Sequence, residues 1–343
     1  MSDPFHIQWH ITNFCNLRCK HCYQEDFSQK DDLGWDELKR VSDNVLETLG
    51  VWDRTACIHL TGGEPLLQPE LFSLLSYLSP RPEIEELGII TNGLLLSDDR
   101  VKGLSAFPKL KKIKVSLDGA EAEIHDSIRQ RGVFKRVIRV LAELTKVRRF
   151  EIVLMFAVMK RNYQSLRSLI RLCQHLGVDG LILERFIPLG SGKEIVNEVL
   201  DKAQWKDLLT DLARFISAEV EEDQLFSYQA FQITFKDDET ELLGAPCVLG
   251  RDGLCILPEG TVFPCRRFPV PIGNLLRESL KDIWKRSEIL ETLRRKENLR
   301  GKCGTCGIED CRGCRSLALA LTGDYLEEDP HCPLIPPPLS LPN

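Results

Sequence analysis

The sequence predicts an α/β protein built on a parallel sheet and followed by a small cysteine-rich region. Three observations carry this. Short apolar runs alternate with amphipathic ones as far as Pro188, the rhythm breaks at Gly190-Ser-Gly192, and eight of the thirteen cysteines crowd between Cys247 and Cys332.

Ile7 to Thr12, Ile58 to Thr61, Leu87 to Thr91, Ile113 to Leu117, Ile152 to Val158 and Leu181 to Phe186 read as short buried strands. Between them, Asp36 to Leu49, Glu70 to Leu78, Asp98 to Phe107, Val133 to Val147 and Tyr163 to His175 carry apolar residues at helical spacing. Such a β-α succession means parallel strands with helices packed on them. An open doubly wound sheet and a curved barrel fit it equally, and in both a ligand belongs at the carboxyl ends of the strands. Beyond the break, Asn197 to Glu222 reads as charged amphipathic helix around Trp205 and Phe215. The stretch Phe226 to Phe235 alternates aromatic with polar residues: a half-buried structural strand, or an edge to which a peptide strand adds. The expected division is residues 1–192, a bridging helical region 193–242, and a cysteine-rich domain 243–343.

Composition narrows the function classes. A chain of 343 residues, 43% hydrophobic, has the length of about two domains and enough apolar side chains for a sizeable core. The net charge of −6, with Lys and Arg dispersed, argues against a nucleic-acid or anionic-membrane surface. No run of roughly 18 apolar residues exists to span a bilayer, and Met1 to Pro4 lead straight into the first strand without a signal peptide. The expected location is cytoplasmic, where an odd number of cysteines suits thiolate ligands better than disulfides. So few residues precede Ile7 that no fused amino-terminal leader-recognition domain is expected.

The sharpest motif follows the first strand: Cys15, Cys19 and Cys22, spaced C-x3-C-x2-C. Iron–sulfur cubanes are held by cysteine thiolates, usually four, so a loop of three leaves one iron open to a non-protein ligand. Three buried loop cysteines are the plainer alternative. Farther on, the pairs Cys303/Cys306 and Cys311/Cys314 also have zinc-ribbon spacing. Thr61-Gly-Gly-Glu-Pro65 follows the second strand, Thr91-Asn-Gly93 the third and Ser116-Leu-Asp-Gly119 the fourth. Each alone is an ordinary turn former.

Together, the triad with His21 before its third cysteine and the Gly62-Gly63-Glu64 element downstream resemble the signature of the radical SAM superfamily. The resemblance implies a partial (β/α)6 TIM-like barrel. It also implies an open iron chelated by the amino and carboxylate groups of S-adenosylmethionine (SAM), whose one-electron cleavage gives a 5'-deoxyadenosyl radical that abstracts hydrogen from a substrate. Glu64, with the carbonyls of Gly62 and Gly63, would meet the amino group. Ser116 and an arginine on the following helix, Arg136 first and Arg129 in reserve, would lie near the carboxylate or ribose, and His21 and Tyr23 near the adenine. The carboxy-terminal pattern, Cys247-x12-Gly260-x4-Cys265 followed by Cys303, Cys306, Cys311, Cys314 and Cys332, resembles the SPASM extension. Its middle gaps are each one residue short of the usual spacing. By that resemblance Cys247, Cys255, Cys265 and Cys314 hold one auxiliary 4Fe–4S cluster, and Cys303, Cys306, Cys311 and Cys332 a second. Cys57 and Cys173 are left as core residues.

The resemblance implies an oxidoreductase acting on a peptide or protein substrate, in maturation of a ribosomally made peptide, with an external one-electron donor and a possible separate leader-binding protein. Tetrapyrrole side-chain decarboxylation is the alternative. Sulfatase-type oxidation is disfavoured, because those enzymes carry aspartate where this chain has Arg266, followed by Arg267. That arginine pair suits a carboxylate-bearing partner, or is a solvated basic edge. From another class, the chain would be a metal-stabilised binding scaffold. No catalytic side chain is singled out.

Overall fold

The computed structural model describes residues 3–236, 239–245 and 247–334. Six strands, β1 (Phe5–Thr12), β2 (Ala56–Gly62), β3 (Ile84–Thr91), β4 (Leu110–Ser116), β5 (Glu151–Val158) and β6 (Gly180–Arg185), pair in parallel in sequence order. That order decides between the two arrangements left open above. A doubly wound sheet reverses direction at a switch point. Here the order runs 1-2-3-4-5-6 without reversal, so right-handed crossovers put every connecting helix on one face, as in a barrel segment.

The helices are α1 (Trp35–Trp52), α2 (Leu71–Leu78), α3 (Asp98–Leu104), α4 (Ala122–Ile128), α5 (Val133–Val147) and α6 (Leu166–Leu176). Each forms where apolar residues recur at helical spacing. In α5 the buried positions are Val133, Val137, Leu141 and Leu144, and in α6 Leu166, Leu169, Ile170 and Cys173. Strand alternation sends Phe5, Ile7, Trp9 and Ile11 of β1 into the apolar core, and turns His10, His59, Lys114 and Glu184 to the opposite, polar face. Cys173 is buried in the apolar core, as expected, whereas Cys57, also buried, shares the polar face with His59.

After β6 the chain forms α7 (Lys202–Phe215), opened by a capping box between Asp201 and Gln204, and α8 (Glu222–Ser227). The hairpin β7 (Ala230–Lys236) and β8 (Glu239–Ala245) then extends the sheet antiparallel to β6. The stretch expected as a helical bridge therefore also supplies sheet. β7 lies between β6 and β8 and cannot accept a further strand.

The cysteine-rich region joins the other edge. β9 (Gly253–Ile256) pairs in parallel with β1, and β10 (Thr261–Phe263) and β11 (Gly273–Asn274) follow antiparallel. The last helices are α9 (Leu280–Arg286), α10 (Glu288–Arg294), α11 (Gly301–Thr305) and α12 (Arg315–Thr322). Trp284 of α9 meets Phe5 edge-on at 5.1 Å. Asn44 of α1 donates to the carbonyls of Leu275 (2.9 Å) and Glu278 (2.7 Å) and accepts from the Leu280 amide (2.8 Å). Burial of each such aromatic contributes about 2 kcal/mol, so this region is docked on the sheet. Among the described residues no helix is long and apolar enough to cross a membrane.

Candidate active site

The loop after β1 is anchored before it reaches its first cysteine. Asp32 accepts from the Thr12 hydroxyl and from the Asn13 amide (3.0 Å), and the Thr12 hydroxyl accepts from the Phe14 amide (3.0 Å). Cys15, Cys19 and Cys22 then line one cleft at the carboxyl ends of the strands, with Gly62 at the end of β2, Asn92 after β3, Ser116 from β4, Ala157 from β5 and Glu184 from β6. Burial raises the pKa of all three thiols, that of Cys19 to about 12, where Cys22 and Cys15 add to the rise against the pull of Arg129. The Leu17 amide donates to Cys15 Sγ at 3.4 Å, and Arg129 Nη1 lies 3.9 Å from Cys19 Sγ.

Gly62 and Gly63 line the same cleft and clamp the cysteine loop. A Cβ on Gly62, whose φ is +130°, would lie 2.1 Å from the Thr12 carbonyl oxygen, and one on Gly63 2.2 Å from that of Phe14. In their place run backbone hydrogen bonds, Gly63 to Thr12 and Glu64 to Phe14, both 2.8 Å. Glu64, expected at the amino group of SAM, is not among the residues lining the cleft. It is wholly buried, and its carboxylate accepts from Thr91 Oγ1 (2.7 Å), the Asn92 amide (2.8 Å) and the Leu66 amide (3.2 Å). Three converging donors draw it into the end of β3, so its charge staples β2 to β3 and does not face the cleft. Burial raises its pKa, and those hydrogen bonds oppose the rise.

Ser116 lines the cleft as expected, but Arg136 is exposed on α5. The arginine at the site is Arg129, which follows α4. Its Nε donates to Asp118 Oδ2 at 2.6 Å, and Asp118 is fully buried. Burial works to raise the Asp118 pKa, and Arg129 with His21 brings it below the usual range. His21 Nε2 lies 3.3 Å from the same carboxylate, and its buried Nδ1 has no partner among the described residues. Burial lowers the His21 pKa to about 4, with Asp118 pulling the other way. Tyr23 also lines the cleft, its hydroxyl 3.4 Å from His10 Nε2.

A second cavity lies in the cysteine-rich region and is lined by Cys303, Cys306, Cys311 and Cys332. Protein N–H groups point at three of these sulfurs: Asp329 (3.3 Å) and Arg315 (3.5 Å) at Cys303, Ile308 at Cys306 (3.5 Å) and Gly313 at Cys311 (3.4 Å). Of the other four cysteines, Cys247 and Cys255 each stand near Cys265. Cys255 on β9 faces Phe263 of β10, two residues before Cys265. Burial pushes the Cys247 thiol up to about 12, with Cys265 and Cys314 adding to the rise. Cys303, Cys306, Cys311 and Cys332 thus line one cavity.

Comparison with known proteins agrees with this arrangement. Residues 9–173 match the radical SAM superfamily and residues 247–315 an iron-sulfur cluster-binding domain. The AdoMet-dependent heme synthase of Methanosarcina barkeri is 31% identical over 347 residues, covering 96% of each chain. The chain belongs to the radical SAM superfamily. Another radical SAM relative, mycofactocin maturase MftC of Mycobacterium tuberculosis, is 28% identical over 97% of this chain and 83% of its own. Among solved structures, Streptococcus suis SuiB bound to its precursor peptide SuiA superposes with a TM-score of 0.73 at 17% identity, over 97% of this chain and 77% of that one, a likeness of fold.

The cofactors of a radical SAM protein, SAM and 4Fe–4S clusters, fit the donor set. Thiols kept neutral by burial and by each other become thiolates when iron supplies the positive charge. The cleft has about 980 Å³ of atom-free space, open to solvent, for a cluster and its ligand. The sequence reading missed the polar partners Glu184 and Arg185 of this radical SAM cleft. Their signal was present: two adjacent charges close an otherwise apolar strand.

Proposed function

We propose that this radical SAM enzyme abstracts a hydrogen atom from a carboxylate-bearing substrate, a ribosomally synthesised peptide undergoing post-translational modification. Cys15, Cys19 and Cys22 hold the SAM-binding cluster, and the two four-cysteine sets hold two auxiliary ones. When bound, the first cluster supplies the electron that splits the sulfonium of SAM. The carbonyls of Gly62 and Gly63 and the hydroxyl of Ser116 are the polar groups offered to SAM, and the Arg129–Asp118 pair fixes the position of His21 beside it.

The observation that carries the substrate class is the cationic lining of the cleft by Arg185, Arg266 and Arg267. Arg266 is paired with Glu184 and Arg185 with Asp329. Arg267 donates to the Arg185 carbonyl (2.9 Å), and its buried Nε has no partner among the described residues. A guanidinium with a buried N–H still unpaired in such a cleft is matched by a carboxylate. The MftC and SuiB–SuiA likenesses support a peptide; a separate leader-binding protein and an external one-electron donor are the further partners of this reading. The heme synthase match favours a second reading, decarboxylation of a tetrapyrrole side chain, which also presents a carboxylate.

Anaerobically reconstituted enzyme, SAM and reductant should be incubated with a short peptide encoded beside it, and separately with a propionate-bearing porphyrin. A mass change in the peptide that disappears in the Cys15, Cys19, Cys22 triple alanine variant supports the first reading. Loss of carbon dioxide from the porphyrin replaces it with the second. No 5'-deoxyadenosine with either overturns both.

A further inference from the structure

The two cavities share a wall, and one ion pair spans it. Arg185, at the end of β6, lines the cleft of the cysteine triad, and Asp329 lines the cavity of Cys303, Cys306, Cys311 and Cys332. Their side chains meet at 2.7 Å and are 4% and 1% exposed.

Asp329 reaches both auxiliary cysteine sets. Its Oδ2 also accepts from the amide of Cys314, in one set, at 2.9 Å, and its own amide donates to Cys303 Sγ, in the other, at 3.3 Å. Its Oδ1 accepts from the His331 amide at 3.0 Å. The backbone makes room for this. Gly313 has φ +60°, and a Cβ there would stand 2.7 Å from Asp329 Cβ. An ordinary aspartate turn would explain the His331 contact. It would require neither burial nor an arginine drawn from the end of β6. A buried ion pair is weak evidence for stability, since apolar residues of similar size often serve as well, so its placement against both sets calls for another account.

Resting on the auxiliary-cluster reading above, we propose that the Arg185–Asp329 pair is the electrostatic junction between the substrate cleft and both auxiliary clusters. The fixed negative charge of Asp329 holds both auxiliary reduction potentials down. The positive charge of Arg185 opposes it and carries the influence of an anion bound in the cleft to both clusters. Reduction adds an electron, so a nearby anion disfavours it and a nearby cation favours it. Both are positioning residues, acting through the cysteine ligands.

The test is an EPR-monitored redox titration of the full-length, reconstituted chain without substrate. In Asp329→Asn both auxiliary signals should titrate at higher potential, and in Arg185→Gln at lower potential, while the triad cluster stays in place. The double variant restores neutrality and should return both to the parent values. Arg185→Lys, which keeps the charge, should leave them there. Shifts of the same sign in the two single variants, a shift in only one auxiliary cluster, or no shift overturns the proposal. If Asp329→Asn does not retain its clusters, Arg185→Gln against Arg185→Lys decides, and equal potentials in those two overturn it. Failure of the underlying reading looks different: the parent then binds about four irons in place of about twelve, and no auxiliary signal exists to titrate.

Discussion

The two cavities differ in what builds their walls. The first is framed by the ends of the parallel strands, holds three thiols, and is lined by Thr61 of β2, Thr91 of β3, Ser116 of β4 and Glu184 and Arg185 of β6. The second is framed by loops and short helices, holds four thiols, and is met by N–H groups aimed at sulfur. A rigid sheet end positions groups for an organic ligand, and a missing fourth thiol leaves that ligand a place on iron. A full set of four leaves none, and N–H donors at sulfur tune potential. The lining of the first cavity thus suits a cluster that keeps a place for an organic ligand, and that of the second a cluster ligated by cysteine alone.

The largest effect expected tests that division directly. Alanine at Cys15, Cys19 and Cys22 should abolish 5'-deoxyadenosine release. Alanine at Cys303, Cys306, Cys311 and Cys332 should remove about four irons per chain and leave that release measurable by chromatography. Equal loss in both would break the comparison. Next come the groups that hold the first cavity in shape. Gly62→Ala forces a Cβ onto the Thr12 carbonyl at a φ few residues adopt, costing at least about 3 kcal/mol in denaturant unfolding. Arg129→Gln strips the cation from fully buried Asp118, at about 3 kcal/mol.

How much of this was legible in sequence follows the range of the interactions. Six strands and five helices were readable because apolar periodicity is local, and the cysteine triad because its ligands share one loop. Helix α4 was missed, being seven residues with few apolar positions, and with it the rank of Arg129 over Arg136. Glu64 was found by its chemistry, but its protein partners were not foreseen. A motif says that a carboxylate is present, and only packing decides that it turns toward Thr91 and Asn92. The pairing of β9 with β1 and the meeting of Arg185 with Asp329 join residues far apart in the chain, and no local pattern encodes either.

A smaller effect sharpens the contrast between the polar face beneath the first cavity and the apolar one behind it. Burial lowers the Lys114 pKa to about 8, and Lys112 adds to the shift. Between about pH 8 and its ordinary value of 10.5 the folded chain binds fewer protons here than the unfolded chain, so stability rises with pH through that window and the cost is complete below it. Because Lys114 keeps some contact with solvent, the cost at pH 7 is about 2 kcal/mol. Lys114→Met should therefore raise stability at pH 7, and the gain should vanish by about pH 10.5 in denaturant titrations across that range.

The smallest effect belongs to Arg136. On α5 the buried stripe is Val133, Val137, Leu141 and Leu144, and a residue one position before Val137 is rotated by about 100° out of that stripe. Arg136 is accordingly exposed, and Arg136→Ala should change unfolding free energy by less than about 0.5 kcal/mol. SAM affinity, read by the perturbation of the reduced cluster's EPR signal on titration, should be unaltered, whereas Arg129→Gln should weaken it. The reverse result would bring α5 to the cofactor and restore the arginine that the sequence alone put first. It would also mean that the first cavity is completed by a helix, and the ends of the strands would no longer suffice to explain it.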